Sequence, residues 1–233
     1  MSRRQIAFSF FAVAGLALLL ALGIWQVQRM HWKAGLLAEM EAELYAAPVA
    51  LPARIDPGAD QWRAVEAEGR FTGEDALVMA SRKGVGPGWL LVSVFETGGR
   101  RVLVDRGFLR DSLREVPRPA VEAAITGNLH WPDEVDRFTP DPDLERGLWY
   151  ARDVPALAEV LGAEPALVIL RTTSEAAPAA VPTPLDTAHV PDNHLNYAIT
   201  WFSLAVIWAV MTTVLLWRMR QAAGAPDGRR GRV

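Results

Sequence analysis

The chain has no cysteine among its 233 residues. That absence excludes a disulfide scaffold, cysteine-ligated zinc, iron–sulfur clusters and a thiol nucleophile. Tyrosine is scarce, three residues against nine tryptophans, a balance that suits a protein living partly at a membrane interface. Net charge is low at −3, with 51% hydrophobic residues, which excludes a disordered chain. Chemical signatures are missing too. There is no Gly-rich phosphate loop, no H-E-x-x-H, no G-x-S-x-G and no C-x-x-C. Gly84-Val85-Gly86-Pro87-Gly88 is glycine-rich, but Pro87 removes an N–H and no P-loop lysine follows, so it reads as a turn. The carboxylate clusters Asp133-Glu134-Asp136 and Asp141-Asp143-Glu145 lack EF-hand glycine placement and read as solvated loops. Nothing here points to an enzyme.

What is present is two long apolar runs. Ile6–Trp25 and Tyr197–Trp217 contain no charged residue, and each is long enough for a helix to cross a bilayer core of about 30 Å. Trp25, Tyr197 and Trp217 sit at the ends of these runs, where amphipathic rings prefer the headgroup layer. A cleavable signal peptide is the rival reading of the first run. Its apolar stretch is too long for that, and Trp25-Gln26-Val27-Gln28-Arg29 is a poor cleavage site. With no intramembrane Asp, Glu, Lys or Arg, an ion or substrate pathway is not expected.

Charge orients the spans. Arg3 and Arg4 contribute +2, and Arg218, Arg220, Asp227, Arg229, Arg230 and Arg232 a net +4, which leaves −9 for residues 5–217. Basic ends predict that both termini are cytoplasmic, with the acidic middle outside. The acidic middle also argues against nucleic-acid binding. The expected organisation is a cytoplasmic N-terminus at 1–5, a first span at 6–27 and a helical extension with linker at 28–60. A β-rich outer domain follows at 61–175, then a return linker at 176–194, a second span at 195–217 and a basic tail at 218–233.

Alternation and turn signals predict strands at Arg63–Phe71, Ala76–Ser81, Trp89–Thr97, Arg101–Leu109, Val121–Trp131 and Ala166–Thr172. Gly98-Gly99 marks a hairpin. Asp153 and Gly162 bracket a short helix with Pro155 early in it. The fold class expected is a membrane α+β protein, two transmembrane helices flanking an antiparallel, barrel-like β-rich domain with one short helix. Ala176–Pro191, rich in Pro and Ala, is expected to be extended.

One constellation suggests a site. His194, Tyr197 and Trp201 fall at i, i+3 and i+7, on one helical face at the entry to the second span. An imidazole above two aromatic rings can ligate a haem iron through Nε2; an aromatic belt with a histidine cap is the commoner arrangement. On the first helix, Trp25 and Arg29 form a matching stripe with Trp32 and Lys33. Arg29 can reach headgroups, pair with a carboxylate or hold a haem propionate. If the helices pack, His194, Tyr197, Trp25 and Arg29 share one depth. His31, His130 and His189 read as polar surface residues.

These residues carry a resemblance. Gly23-Ile24-Trp25-Gln26-Val27-Gln28-Arg29-Met30-His31-Trp32-Lys33 resembles the G-x-W-Q-x-x-R-x-x-W-K signature of the Surfeit locus protein 1 family. Val102–Phe108 is similar to its V-L-V-N-R-G-W strand, and Asn193–Phe202 to its N-H-x-x-Y-A-x-T-W-F entry to the second span. Phe138-Thr139-Pro140 and Trp149-Tyr150-x-x-Asp153 also match family positions. Asp105 and Phe108 depart from the usual Asn and Trp, so roles of those side chains do not carry over.

The resemblance implies an assembly chaperone for haem–copper cytochrome c oxidase in the respiratory chain. It implies transient binding of haem a, with His194 as iron ligand, and oxidase subunits and the haem a synthesis machinery as partners. A scaffold that docks oxidase subunits without any cofactor is the alternative. With no organelle-type presequence before the first span, a bacterial cell inner membrane is the expected location.

Overall fold

The computed structural model describes residues 3–188 and 190–224. His189 and the tail residues Asp227, Arg229, Arg230 and Arg232 lie outside the described residues. In chain order the elements are α1 (Arg3–Leu44), β1 (Val49–Ala50), β2 (Ala64–Arg82), β3 (Gly86–Thr97), β4 (Arg100–Arg110), β5 (Val121–Leu129), β6 (Leu148–Trp149), α2 (Val154–Leu161), β7 (Glu164–Thr173) and α3 (His194–Gly224). They form two compact units. One is helical and built from both ends of the chain, and the other is a sheet unit spanning Glu39–Ala188.

In the helical unit, α1 and α3 are each long and apolar enough to cross a membrane, within Ile6–Leu44 and His194–Gln221. Their outer surfaces expose Phe10, Val13, Leu18, Val206, Val210 and Met211. An unbroken apolar surface of that kind is costly in water and suits lipid. The protein is therefore a membrane protein. The seam between the helices is made of small residues. A Cβ on Gly15 would lie 2.8 Å from the Trp208 ring, and one on Gly23 would lie 2.7 Å from the Phe202 ring. Ala12, Ala198 and Ala205 are buried along the same line. Small side chains let helix backbones approach where lipid offers no hydrophobic drive. Trp208 adds a bond from its indole Nε1 to the Ala12 carbonyl at 2.8 Å and an edge contact with Phe11.

The sheet unit follows from alternation and turns. Its ladder runs from β2 to β3, β4, β7 and β5, and β5 pairs β2 again. These pairings are antiparallel except that β7 lies parallel to β4. The barrel-like, strand-rich domain with one short helix is thus borne out, in a mixed rather than purely antiparallel sheet. The parallel pair exists because the chain between β5 and β7 travels through a long loop and α2 before returning. The expected strands at 63–71 and 76–81 are a single long β2. Thr72-Gly73-Glu74 bends it without ending it, and the register against β3 shifts between Phe71 and Asp75. The two-residue strands β1 and β6 pair parallel to β2.

Gly98 and Gly99 join β3 to β4 at φ +54° and +75°, as a tight hairpin needs. The Asp153 carboxylate accepts from the Ala156 N–H at the start of α2, and Gly162 closes the helix in the left-handed region. Inside, one core gathers Val65, Phe71, Phe95, Leu129, Val168 and Leu170. A second sets Leu157 of α2 against Val92, Leu103, Trp149 and Ile169.

The return segment after β7 is extended but not loose. Val181 and Phe108 exchange both backbone hydrogen bonds, at 2.8 and 2.9 Å. Ala180 is buried against Leu77, Trp89, Leu91 and Leu109. Gly107 makes this approach possible. Its φ is +102°, and a Cβ there would sit 2.1 Å from the Val181 carbonyl oxygen.

Candidate functional site

His194 is the first residue of α3, and its neighbours fix it there. The Asp192 carboxylate accepts from its backbone N–H at 3.0 Å, and the Asn193 carbonyl accepts from Tyr197 N–H at 3.1 Å. One turn on, Ala198 is buried at the seam with α1. The imidazole Nδ1 lies 2.8 Å from the side-chain oxygen of Gln26 on α1. Gln26 itself is buried, 9% exposed. It continues the seam line Ala12, Gly15, Gly23, Gln26, whose spacings of three, eight and three keep to one helical face.

Trp25 and Tyr197 are about half exposed, at 53% and 55%, and Trp201 is half-buried. The Arg29 guanidinium stacks 3.9 Å above the Trp32 ring. Lys33 donates to the Pro191 carbonyl. His31 is exposed. The partner of His194 is therefore Gln26, which sequence reasoning did not single out. Its signal was available: one polar residue in register with a stripe of small residues.

Chemically, Gln26 occupies Nδ1, and Nε2 makes no hydrogen bond among the described residues. A neutral imidazole whose Nδ1 donates presents a lone pair at Nε2, the arrangement usual for a metal-bound histidine. Among the described residues no three His, Asp or Glu side chains converge as a metal cage, and the one ring nitrogen of His194 can supply a single axial bond to an iron.

The sheet unit holds a second polar cluster. Arg152 donates to Asp105 at 2.9 Å and also to Glu134. Asp105 is almost fully buried and accepts from Gly107 N–H at 2.9 Å. Burial pushes its carboxyl above the ordinary range, against the pull of Arg152. Burial acts the same way on Glu134, but hydrogen bonds from Arg152 outweigh it and hold that carboxyl low. His130, expected at the surface, is half-buried with Nδ1 3.1 Å from the Gln61 amide. Burial, with Arg152 nearby, lowers its pKa to about 4. The cluster ties the loop before α2 to β4 and presents no nucleophile with a base.

A hollow of the sheet unit, about 820 Å³, is lined by Leu51, Ala67, Ile125, Glu66, Arg100 and Thr172 among others. It lies on the strands and includes none of the residues expected to form a site.

Comparison with known proteins follows the same length of chain. The sequence model of the SURF1 family matches residues 13–206. Surfeit locus protein 1 of Homo sapiens is 30% identical over 231 residues, covering 88% of this chain and 74% of that protein. The SURF1-like protein of Drosophila melanogaster is 29% identical over 231 residues, covering 84% and 71%. Surfeit locus protein 1 of Takifugu rubripes is 28% identical over 216 residues, covering 82% and 89%.

Proposed function

Because the chain belongs to the SURF1 family, we propose that it is an assembly factor for haem–copper cytochrome c oxidase. Within that role it holds haem a transiently while the catalytic subunit is completed. The haem is cargo rather than a resident cofactor. His194 would supply one axial nitrogen, and Arg29 a charge for a propionate. One protein ligand leaves the opposite side of the iron open, which keeps the grip reversible and permits transfer. Trp25, Tyr197 and Trp201 offer aromatic surface against which a porphyrin face excludes water. The protein acts as a chaperone, not an enzyme, with oxidase subunits and haem a synthesis as its partners.

The observation that carries this reading is the 2.8 Å contact from Gln26 to His194 Nδ1, which leaves Nε2 without a hydrogen bond among the described residues. Arg218 and Arg220 directly follow the second apolar run, so both ends of the chain would be cytoplasmic and the sheet unit external. In a bacterium that is the inner membrane with a periplasmic domain. The test is the pigment of gently purified protein from cells that make haem a. Wild type is expected to carry haem a absorbance and His194→Ala to lose it. Equal pigment in both removes His194 as ligand.

A second reading, a cofactor-free scaffold, is favoured by the sheet unit having its own cores and a surface hollow. It predicts that oxidase assembly survives His194→Ala but fails when residues 61–175 are deleted.

A further inference from the structure

Gln26 enters the reading above only as the group in contact with Nδ1 of His194, and its position is unusual. It is a buried amide at the end of an otherwise uncharged run of helix, on the face that packs against α3. A buried amide oxygen without a donor costs roughly 1–3 kcal/mol, and the donor within reach here is the imidazole of His194. We propose that Gln26 is a positioning residue: it accepts from Nδ1–H of His194, fixes that tautomer and so leaves the lone pair on Nε2 for iron. The proposal rests on the reading of His194 as the haem ligand.

Two further observations support it. The backbone of His194 is held independently by Asp192, so the ring rotates about few bonds. Gly23, one turn before Gln26, lies against Phe202 with no room for a side chain, so the separation of the two helices at this depth is set by packing rather than by the hydrogen bond. The ring therefore meets an acceptor already in place. A neutral imidazole carries one ring proton, and whichever nitrogen holds it cannot bind a metal. Without an acceptor at Nδ1, the proton is free to occupy Nε2, and iron binding must first displace it. Partners of this kind change metal affinity about 10–100-fold.

The test uses the full chain in lipid nanodiscs with ¹⁵N-labelled histidine and no haem. Long-range ¹H–¹⁵N correlation at mildly alkaline pH reports the tautomer, with the His194 signals assigned by their loss in His194→Asn. Wild type is expected to show protonated Nδ1 and pyridine-like Nε2. Gln26→Leu is expected to shift the population to protonated Nε2, and Gln26→Glu, which keeps an acceptor, to restore the wild-type pattern. Titration with ferric haem a should then show about 10–100-fold weaker binding for Gln26→Leu and near wild-type binding for Gln26→Glu. A wild-type spectrum with protonated Nε2 overturns the proposal. So does a Gln26→Leu variant that keeps its haem affinity while His194→Ala loses it. If instead His194→Ala binds haem as wild type does, the ligand role of His194 fails, while the tautomer measurement still stands or falls by itself.

Discussion

A histidine that is neutral when folded and protonated when unfolded makes stability depend on pH. His130 has a folded pKa of about 4 against 6.5 for the exposed ring, through burial first and Arg152 second. Between those values the unfolded chain binds a proton that the folded chain refuses. Its contribution is intact above pH 6.5 and declines as pH falls towards 4. Thermal melts of wild type should therefore drop over that interval more steeply than those of His130→Gln, and parallel curves would remove the assignment. Asp105 is the complementary case. Asp105→Asn keeps one acceptor oxygen where Gly107 N–H and Arg152 use two, and should cost about 1–3 kcal/mol. Asp105→Leu leaves the Gly107 amide without its acceptor and Arg152 with Glu134 alone, and should cost more, about 3–5 kcal/mol, read as a loss in Tm. Neither environment was legible in the sequence. His130 follows a strand and Asp105 sits mid-strand, but the Arg152 that acts on both lies more than twenty residues away along the chain.

At the scale of elements, the helix pair depends on volume that is absent. Gly23→Leu would place a branched side chain inside the Phe202 ring, and overpacking of this sort costs about 1–3 kcal/mol. Melts in detergent should show it, whereas Gly35→Leu, with open space around its Cβ position, should melt like wild type. Equal losses at both positions would mean that the seam does not run through Gly23. The spans themselves were readable because a long uncharged run has few other uses. The seam was not, because Gly15 and Gly23 also look like ordinary tolerated glycines until Trp208 and Phe202 are seen against them. Strands β3, β4, β5 and β7 were readable from alternation, and α2 from Asp153 and Gly162. Two things escaped. β1 and β6 are too short to carry a period, and the parallel partnership of β7 with β4 depends on where a distant loop returns.

At the scale of the whole molecule, the sheet unit has its own cores and its own closing contacts. Leu44 is fully buried, and its carbonyl accepts from Asn128 at 3.0 Å and from Arg171. A fragment of residues 39–188 should be soluble and unfold cooperatively in urea. Leu44→Ala within it should lose about 2–5 kcal/mol, the usual cost of emptying a core leucine site. A fragment that remains unfolded would tie the stability of the sheet unit to the spans. The family was legible from three motifs because they sit at the two span entries and on β4, positions that geometry ties to specific partners. The partner of His194 was not, since Gln26 and His194 are 168 residues apart and only the packed helices make them neighbours.

The bare α-carbon at position 107 sets a vulnerability of a different kind. Most single-nucleotide missense changes of that glycine codon would add a β-carbon where the Val181 oxygen already sits, unzipping the strap that Ala180 and Val181 form over β4. Such a lesion lies in the sheet unit and touches neither His194 nor Gln26. Its phenotype would be one of turnover: protein cleared by quality control, scarce at high growth temperature and partly recovered in the cold.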